Sequence, residues 1–393
     1  MRIALLAPLP PEQTGIADYA AHLCNALVEL GIEVLTPLKG CPDTTELQRR
    51  LHVFDWNSVD LVHAELGGGR FGEFQALDYL RQAHPQLPLT ATVHDPERLI
   101  WRRANLFFPL TLLERLPNPM PQAAALLADP LTLHEERRLA KRMRRLVTLT
   151  RLGGDCLRQR MGLRAGQVAV IAHGNLAIAP VALPPLEPLR LLYFGFIYRG
   201  KGIEDLLQAL ARSLSANPQC RGQVRLTLAG GTAPEMTFDP AGNYLDGLRQ
   251  QIAALQLGDV VDWQLDLPSA DIPRTIQDHH VMVLPYRESK KLGFLGQMRG
   301  TSGALSWANA CGRGVITSNA RAFAEEVSSG NGITYQQGDI GSLSDALNRL
   351  ILDPQQARQW ADQAAEIGRQ RLWCNTAQRF VEVFEAACKE PVS

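Results

Sequence analysis

Cationic side chains and glycine stand together in residues 198–202, whose sequence is YRGKG. Arg199 and Lys201 carry groups that bind phosphate oxygens, and the glycines let a turn bring backbone amides close to the same anion. The segment directly follows an apolar, strand-like run and precedes an amphipathic helix. A solvated basic turn is the alternative, but this place at the end of a strand favours contact with a diphosphate.

A second anion-binding pattern lies in residues 299–312, whose sequence is RGTSGALSWANACG. Thr301 or Ser302 is a natural N-cap for the helix that follows. Small residues after the cap leave the first backbone amides of that helix open to an anion, which its dipole also favours. Gly312 suits the C-terminal end of the same helix.

A glycine and a histidine mark two strand ends in the N-terminal half. Gly15, in the run PPEQTGIADY, lies between the first strand and the first helix, where a backbone amide can approach a phosphate or a sugar. The alternative is a plain turn with Thr14 as the helix cap. His94, in the run TVHD, can donate a hydrogen bond or pass a proton, and a structural histidine is its alternative. His63 and His173 also stand at strand ends.

Residues 67–72, GGGRFG, match the dinucleotide-binding pattern G-x-G-x-x-G after a strand. That fingerprint belongs in the first strand–helix unit, with an acidic residue at the end of the next strand. The candidate acid, Asp95, directly follows His94 and precedes a proline. The pattern is therefore interpreted as a flexible loop rather than a dinucleotide site.

Strands and helices alternate in both halves of the chain. The predicted strands are 2–8, 32–38, 60–66, 87–95, 144–150, 169–174, 189–195, 223–230, 260–265, 281–286 and 314–318. The predicted helices are 17–30, 71–83, 202–215, 242–256 and 303–311, with two more in 354–389. Short apolar strands between amphipathic helices are typical of parallel sheets covered on both faces. A proline-rich run at 180–188 predicts a linker between the halves.

Composition excludes several classes of protein. The 393 residues carry 40 basic and 40 acidic side chains, so there is no basic excess to hold nucleic acid. The 7 cysteines are scattered without a Cys-x-x-Cys pair, which favours a reducing cytoplasm over a disulfide framework. We expect no signal peptide and no membrane-spanning helix. No Walker motif and no nucleophile elbow occur, which argues against a P-loop ATPase and a serine hydrolase. No Asp-x-Asp or His-Glu-x-x-His occurs either, so no metal site is predicted.

Five landmarks occur in a characteristic order: TGIADY, VHD, FGFIYRGKGIEDLL, LAGG, and VLPY followed by a helix ending in ACGRGVITS. In these the chain resembles the GT-B-fold glycosyltransferases of the retaining family 4 type. The resemblance implies an α/β fold of two Rossmann-like, doubly wound domains facing each other across a cleft. Domain 1–180 would lie on the acceptor side and domain 181–360 on the donor side, with 361–393 packing back on the N-terminal domain.

The same resemblance assigns roles to individual residues. Lys201 and Arg199 are expected to contact the diphosphate of a nucleotide-sugar donor, and His94 to lie near the transferred sugar. The backbone of 302–305 is expected to cradle the distal phosphate and the sugar. The catalytic candidates are therefore His94, Arg199 and Lys201, and the donor-binding candidates are Gly15, Gly230, Gly231, Tyr286, Arg299, Ser302, Gly303, Ala304 and Leu305. No cofactor is expected beyond the substrate itself, a UDP- or GDP-sugar.

The chain departs from the family pattern at its carboxylates. The family carries Glu-x7-Glu, and a gapless overlay puts Arg299 and Trp307 at those two places. The arginine that usually follows the glycine opening the second domain is replaced by Phe196. A branch with a Ser-Gly-Thr-Leu style of helix is similar to this chain in that respect. Glu288 or Gln297 is a candidate substitute for the first carboxylate.

The predicted activity is metal-independent transfer of a hexose, with retention, to a saccharide or lipid-linked saccharide in surface or exopolysaccharide assembly. The alternatives are a GT-B protein that has lost catalysis and serves as a nucleotide-sugar-binding or partner subunit, and a sugar-nucleotide epimerase-like or phosphorylase-like enzyme. Residues 99–145 join an apolar, proline-interrupted run to a basic one. This segment predicts peripheral contact with an anionic membrane surface on the inner face of the cell membrane, or else a core helix with a solvated basic face.

Overall fold

The structure is a computed structural model, and it describes residues 1–100, 120–231, 244–288, 293–297 and 299–390. The chain forms two compact units. Unit 1 combines Met1–Gly174, Leu292–Gly300 and Trp373–Ser393, and unit 2 combines Asn175–Lys291 and Thr301–Leu372. The chain thus leaves unit 1 at Gly174 rather than at the expected 180. It re-enters unit 1 for Leu292–Gly300, and its final return is at Trp373 rather than at 361.

Within the described ranges, each unit is built on one parallel sheet of six strands. The strands of unit 1 are β1 (Arg2–Leu6), β2 (Glu33–Leu35), β3 (Leu61–Leu66), β4 (Leu89–Val93), β5 (Arg145–Thr148) and β6 (Val168–Val170). The strands of unit 2 are β7 (Leu189–Phe194), β8 (Val224–Gly230), β9 (Val261–Leu265), β10 (Val281–Leu284), β11 (Gly314–Ser318) and β12 (Gly332–Tyr335). Most strand residues are buried, as expected for strands covered on both faces.

Helices connect the strands, and the first five and the last of those described belong to unit 1. They are α1 (Gly15–Glu29), α2 (Thr44–Val53), α3 (Phe71–Ala83), α4 (Met120–Arg142), α5 (Arg151–Met161), α6 (Ile203–Ala216), α7 (Tyr244–Ala254), α8 (Ile272–Gln277), α9 (Gly303–Ala310), α10 (Phe323–Val327), α11 (Ile340–Leu352), α12 (Gln356–Gln370) and α13 (Trp373–Lys389). Within unit 1, α13 packs against α1, and within unit 2, α12 packs against α9. Of the two predicted C-terminal helices, only the second therefore returns to unit 1.

The strand order defines a switch point in each sheet. In unit 1 the order is β2-β1-β3-β4-β5-β6, so the chain changes direction between β1 and β3. In unit 2 the order is β12-β11-β10-β7-β8-β9, and the change lies between β7 and β10. In doubly wound sheets, ligands bind beyond the carboxyl ends of the two strands at this point. The loops after β1, β3, β7 and β10 are therefore where binding residues are expected.

The proline-rich linker is anchored in unit 2 by a buried arginine. The guanidinium of Arg313 donates to the backbone carbonyls of Val181 and Ala182, at 3.2 and 3.3 Å, and to that of His279 at 2.8 Å. Carbonyl oxygens of the linker cannot be satisfied by a sheet ladder because the prolines interrupt it. The two hydrogen bonds from one planar group to Val181 and Ala182 tie the linker to unit 2.

Several elements differ from the sequence-based predictions. The predicted strand 32–38 is limited to Glu33–Leu35, because a turn follows in which the amide of Lys39 donates to the carbonyl of Thr36. No element was predicted for 319–352, where the structure has α10, β12 and α11. Helices α2 and α5 were also missed. Both begin at capping side chains that were not considered, Asp43 and Thr150.

Candidate functional site

A buried lysine lies at the switch point of unit 2. Lys201 follows β7 and is only 9% exposed, and its Nζ is 3.8 Å from the centre of the Tyr286 ring, which follows β10. The ring of Tyr198 lies 5.1 Å away. Burying a cation is costly unless a partner compensates its charge, and two aromatic faces provide only part of that compensation. The lysine is thus suited to an anionic ligand at this point.

Gly202 is the reason that the lysine can reach this position. It precedes the first residue of α6 with a φ of +72°, a left-handed conformation that glycine adopts without strain. A Cβ at this residue would lie 1.8 Å from the backbone oxygen of Pro285. The chain before α6 therefore packs directly against the backbone before Tyr286, and this contact brings Lys201 to the tyrosine ring.

The hydroxyl of Tyr286 links the lysine to the start of α9. Its oxygen is 3.1 Å from Oγ of Ser302, the N-cap residue of that helix. Ser302 makes no side-chain cap hydrogen bond, in contrast to the predicted capping, so the first amides of α9 have no side-chain cap. Burial raises the pKa of the Tyr286 phenol, but the Lys201 cation and the Ser302 hydrogen bond outweigh burial and hold that pKa below its usual value.

Arg321 adds a second cation, which is not among the residues predicted from the sequence. Its guanidinium carbon is 5.4 Å from the centre of the Tyr286 ring, and it donates to the carbonyl of Thr301 at 3.1 Å. Its φ of +55° is rare for a residue with a side chain. Arg321 follows β11, which is the neighbour of β10 in the sheet. Its position just after a predicted strand is the sequence signal that points to it.

The LAGG glycines hold two strand ends together. A Cβ on Gly230, whose φ is +138°, would lie 2.0 Å from the backbone oxygen of Gly195 at the end of β7. The carbonyl of Gly231 accepts a hydrogen bond from the amide of Ile197 at 3.0 Å. A glycine is therefore required at residue 230 because the backbone of Gly195 packs directly against it. This contact positions the loop that leads from β7 to Lys201.

Both predicted arginines lie outside this cluster. Arg199 is exposed, and its guanidinium is 5.5 Å from the centre of the Tyr244 ring. Arg299 belongs to unit 1, where it is 3.3 Å from Glu97 and also bonds Gln297. Unit 2 thus brings together Lys201, Tyr286, Ser302, Gly303, Ala304 and Leu305, and does not include Arg299, Gly15 or His94.

In unit 1 the loops after β1 and β3 meet at the other switch point. Gly15 is the first residue of α1, and the hydroxyl of Thr14 caps the helix by accepting from the amide of Ala17 at 3.1 Å. Thr14 therefore caps the helix, as the alternative for this loop proposed. Among the described residues, no heavy atom lies within 4 Å of a Cβ built on Gly15. The amide of Gly68, in the GGGRFG loop, donates to a carboxylate oxygen of Asp95 at 2.7 Å.

His94 is held by a fully buried carboxylate on the neighbouring strand. Its Nε2 is 2.7 Å from Oε2 of Glu65, which is 0% exposed, and the side chain of His94 is 11% exposed. The ring of Tyr19 meets His94 edge-on at 4.7 Å. His94 and His63 are candidates from the sequence by their residue type, whereas Glu65 is not among the predicted residues. The signal was the i, i+2 spacing of His63 and Glu65, which puts both side chains on one face of β3.

The part of the chain that the structure describes contains no group of three His, Cys, Asp or Glu side chains suited to a metal ion. Among the helices of that same part, none is long and apolar enough to cross a bilayer.

Comparison with known proteins finds similarity to glycosyltransferases. Residues 178–367 match the family described as glycosyl transferases group 1. A D-inositol 3-phosphate glycosyltransferase of Nocardiopsis dassonvillei is 25% identical over 273 residues, 66% of this chain and 59% of that protein. The sucrose-phosphate synthase of Thermosynechococcus elongatus is 20% identical with a TM-score of 0.69, covering 98% of each chain. Anabaena HepE, solved with UDP, is 19% identical with a TM-score of 0.67, covering 98% of this chain and 100% of HepE.

The predicted α/β class and the GT-B fold are confirmed by these matches. The residues that match the glycosyl transferases group 1, 178–367, lie largely in unit 2. The chain matches less than two thirds of the length of the Nocardiopsis relative, 59%.

Proposed function

We propose that the chain transfers a hexose from a nucleoside diphosphate sugar to a saccharide or lipid-linked saccharide acceptor, with retention and without a metal ion. The observation that carries this proposal is the cluster of Lys201, Tyr286 and Ser302 at the switch point of unit 2. It combines a buried cation with the N-terminus of α9, and both favour a diphosphate. The group 1 match covers all three residues, and HepE has been solved with UDP-glucose.

The chemistry of the proposed reaction is the exchange of one glycosidic bond for another. The bond between the anomeric carbon and the phosphate oxygen breaks, and the acceptor oxygen bonds to the same face of that carbon. The departing diphosphate takes up the acceptor's proton. Lys201 and the α9 amides stabilise the negative charge that develops on the leaving group, as preorganised donors do in other enzymes.

Further contacts to the donor are part of the same proposal. Arg199 is a second cation for the diphosphate, and Gly15 offers its amide to the phosphate or the sugar. His94 orients the sugar. Of the two substitutes for the missing family carboxylate, Gln297 already bonds Arg299 within unit 1. Glu288, two residues after Tyr286 in unit 2, is therefore our choice for the donor sugar.

A thermal-shift panel of nucleotides and nucleotide sugars tests the proposal. A ligand at 100 times its dissociation constant stabilises a protein by about 2.7 kcal/mol, so UDP, GDP or their sugars should raise the melting temperature. The shift should be larger for diphosphates than for the matching nucleoside. Equal shifts for nucleoside and diphosphate, or no shift with any member, would contradict a diphosphate site.

Turnover separates the proposal from its two alternatives. Arg299 and Trp307 at the family's carboxylate positions are the reason to consider a binding protein that has lost catalysis. Such a protein binds the nucleotide sugar and releases no nucleoside diphosphate, with or without acceptor. An epimerase-like enzyme changes the configuration of the free nucleotide sugar in the absence of acceptor. The transferase releases nucleoside diphosphate in proportion to the acceptor glycosylated.

We also propose that α4 binds an anionic membrane surface. This helix of 23 residues has an exposed side that changes character along its length. In its first half that side is apolar, with Met120, Leu127 and Leu131 at 40, 66 and 51% exposure. In its second half four exposed residues are basic: Arg137, Arg138, Lys141 and Arg142. Apolar insertion combined with basic contacts to phosphate is the pattern of interfacial helices. Residues 101–119 of the predicted segment lie outside the described part of the chain.

Vesicle flotation tests this contact. We expect the protein to float with vesicles that contain phosphatidylglycerol and to remain in solution with pure phosphatidylcholine, because about 1 kcal/mol per basic residue depends on the anionic surface. The double substitution Leu127→Ser/Leu131→Ser should abolish flotation. Val53→Ser, which alters an equally exposed apolar residue in α2, serves as the matched control. Equal flotation with both lipids, or with the double variant, would refute the contact.

A further inference from the structure

A carboxylate is buried in the sheet of unit 1 among histidine and threonine side chains. Oε2 of Glu65 is 2.7 Å from Nε2 of His94, and Oε1 is 3.3 Å from Nε2 of His63. The hydroxyl of Thr92 donates to Oε1 at 3.4 Å. Glu65 and His63 are 0% exposed. Burying an ionised carboxylate is costly unless it is paired and hydrogen-bonded, so the arrangement calls for a specific role.

The two histidines differ in what else holds them. His63 lies with Nδ1 2.9 Å from the hydroxyl of Thr90 and Nε2 3.0 Å from that of Thr92, so both ring nitrogens have partners in the sheet. His94 follows β4 at the carboxyl edge of the sheet, and Glu65 is the hydrogen-bond partner of its Nε2. The contact to Glu65 is therefore the one that fixes the ring of His94.

The protonation of His94 follows from the chemistry of its partner. Burial raises the pKa of the Glu65 carboxyl, but the hydrogen bonds from His63 and His94 outweigh burial and hold that pKa below its usual value. An ionised carboxylate only accepts hydrogen bonds, so Nε2 of His94 must carry a proton. In the neutral imidazole, Nδ1 is then the acceptor.

We infer that Glu65 is a positioning residue, which holds His94 in the Nε2-protonated form so that Nδ1 accepts a hydrogen bond from a hydroxyl of the donor sugar. This inference rests on the proposed function, in which His94 orients that sugar. Tyr19 supports the arrangement sterically, because its ring lies edge-on to His94 at 4.7 Å and to Trp373 of α13 at 5.0 Å. The ring of His94 is thus held by a hydrogen bond at one nitrogen and by packing at its side.

The substitution Glu65→Gln tests the role with two readouts. Glutamine keeps the shape, but its amide can accept from or donate to the imidazole, so the tautomer is no longer fixed. In ¹⁵N-histidine NMR spectra, with His94→Gln to assign the signal, we expect the wild-type ring to be protonated at Nε2 and the Glu65→Gln ring to populate both tautomers. We expect kcat to fall about 10- to 100-fold, which is the range found when a metal-bound histidine loses the partner that orients it. Binding of UDP should not change.

Control variants keep the outcomes interpretable. Thr148→Val removes another fully buried side-chain hydrogen bond of the same sheet, to the carbonyl of Thr150, and should leave both the tautomer and kcat unchanged. If Glu65→Gln does not fold, Glu65→Asp keeps the charge but draws the carboxylate away from Nε2 of His94, and it should likewise let both tautomers form. Protonation of His94 at Nδ1 in the wild-type protein, or an unchanged tautomer and kcat in Glu65→Gln, would overturn the inference. Absence of turnover in the wild type with the expected tautomers would overturn the proposed function alone.

Discussion

Replacing Lys201 with alanine is expected to lower kcat/KM for the nucleotide sugar by about 10²- to 10³-fold, the cost of removing one donor from a preorganised anion site. The reason is position: the ammonium group is buried 3.8 Å from the centre of the Tyr286 ring, and Tyr286 contacts the N-cap residue of α9. Affinity for UDP should fall with it, since the cation contacts the diphosphate in both ground and transition states. Initial-rate kinetics and calorimetric titration of UDP measure the two effects.

Arg249→Ala is the matched control for this experiment. Its guanidinium also lies over an aromatic ring of unit 2, 5.9 Å from the centre of Trp263, but the side chain is 54% exposed and paired with Asp246. Exposed pairs of this kind contribute little, so both kinetics and melting temperature should stay near those of the wild type. Wild-type kcat/KM and UDP affinity in a folded Lys201→Ala protein would refute the proposed diphosphate site.

The substitution Gly202→Ala is expected to destabilise unit 2 by about 3 kcal/mol or more, through the strain of a left-handed backbone and a collision with backbone atoms. The added Cβ would lie 1.8 Å from the oxygen of Pro285, and no side-chain rotation can relieve a contact with the main chain. For a unit of this size, the melting temperature should fall by about 6–12 °C. The structure around Lys201 should also shift, so that activity falls even below the melting transition.

Gly247→Ala distinguishes this cause from a general effect of replacing glycine. Gly247 lies within α7, and a Cβ built there has no heavy atom of the described residues within 4 Å. Alanine in a helix interior is more favourable than glycine by about 0.5–1 kcal/mol, so this variant should melt at the same or a higher temperature. Scanning calorimetry compares the two variants directly. An unchanged melting temperature for Gly202→Ala would show that the loop before α6 does not have the described backbone.

The sequence predicted those parts of the site that depend on local spacing. Lys201 was identified because a glycine-rich turn after a strand favours anion binding. Ser302 was identified because serine is a preferred N-cap residue at the start of a helix. The alternation of strands and helices likewise predicted the two parallel sheets. Where capping side chains gave the only local signal, as at α2 and α5, the elements were missed.

Contacts between distant segments were not predictable in this way. The approach of Lys201 to Tyr286 depends on β7 and β10 being neighbours, and this follows from strand order, which no local pattern encodes. Arg321 reaches the same ring from a third strand end. Arg299 was placed with the donor site because it lies just before α9, but in the structure residues 299–300 belong to unit 1 and Arg299 pairs with Glu97.

Glu65 shows a further limit of reading a sequence by residue type. A glutamate within an apolar strand was not interpreted, whereas the histidines around it were. Its partner is fixed by the register of the sheet, in which Glu65 pairs with Thr92, two residues before His94. The role of such a carboxylate emerges only when the two strands are placed side by side.

The anomeric configuration of the first product tests the central claim most directly. The purified protein, an α-configured nucleotide sugar selected by thermal shift, and a panel of saccharide acceptors would be followed by ¹H NMR from the start of the reaction. We predict loss of the donor's anomeric signal, matched by a new α-linked signal and an equal amount of nucleoside diphosphate. A first product in the β configuration would contradict retention, and a donor that binds but is never consumed would contradict transfer.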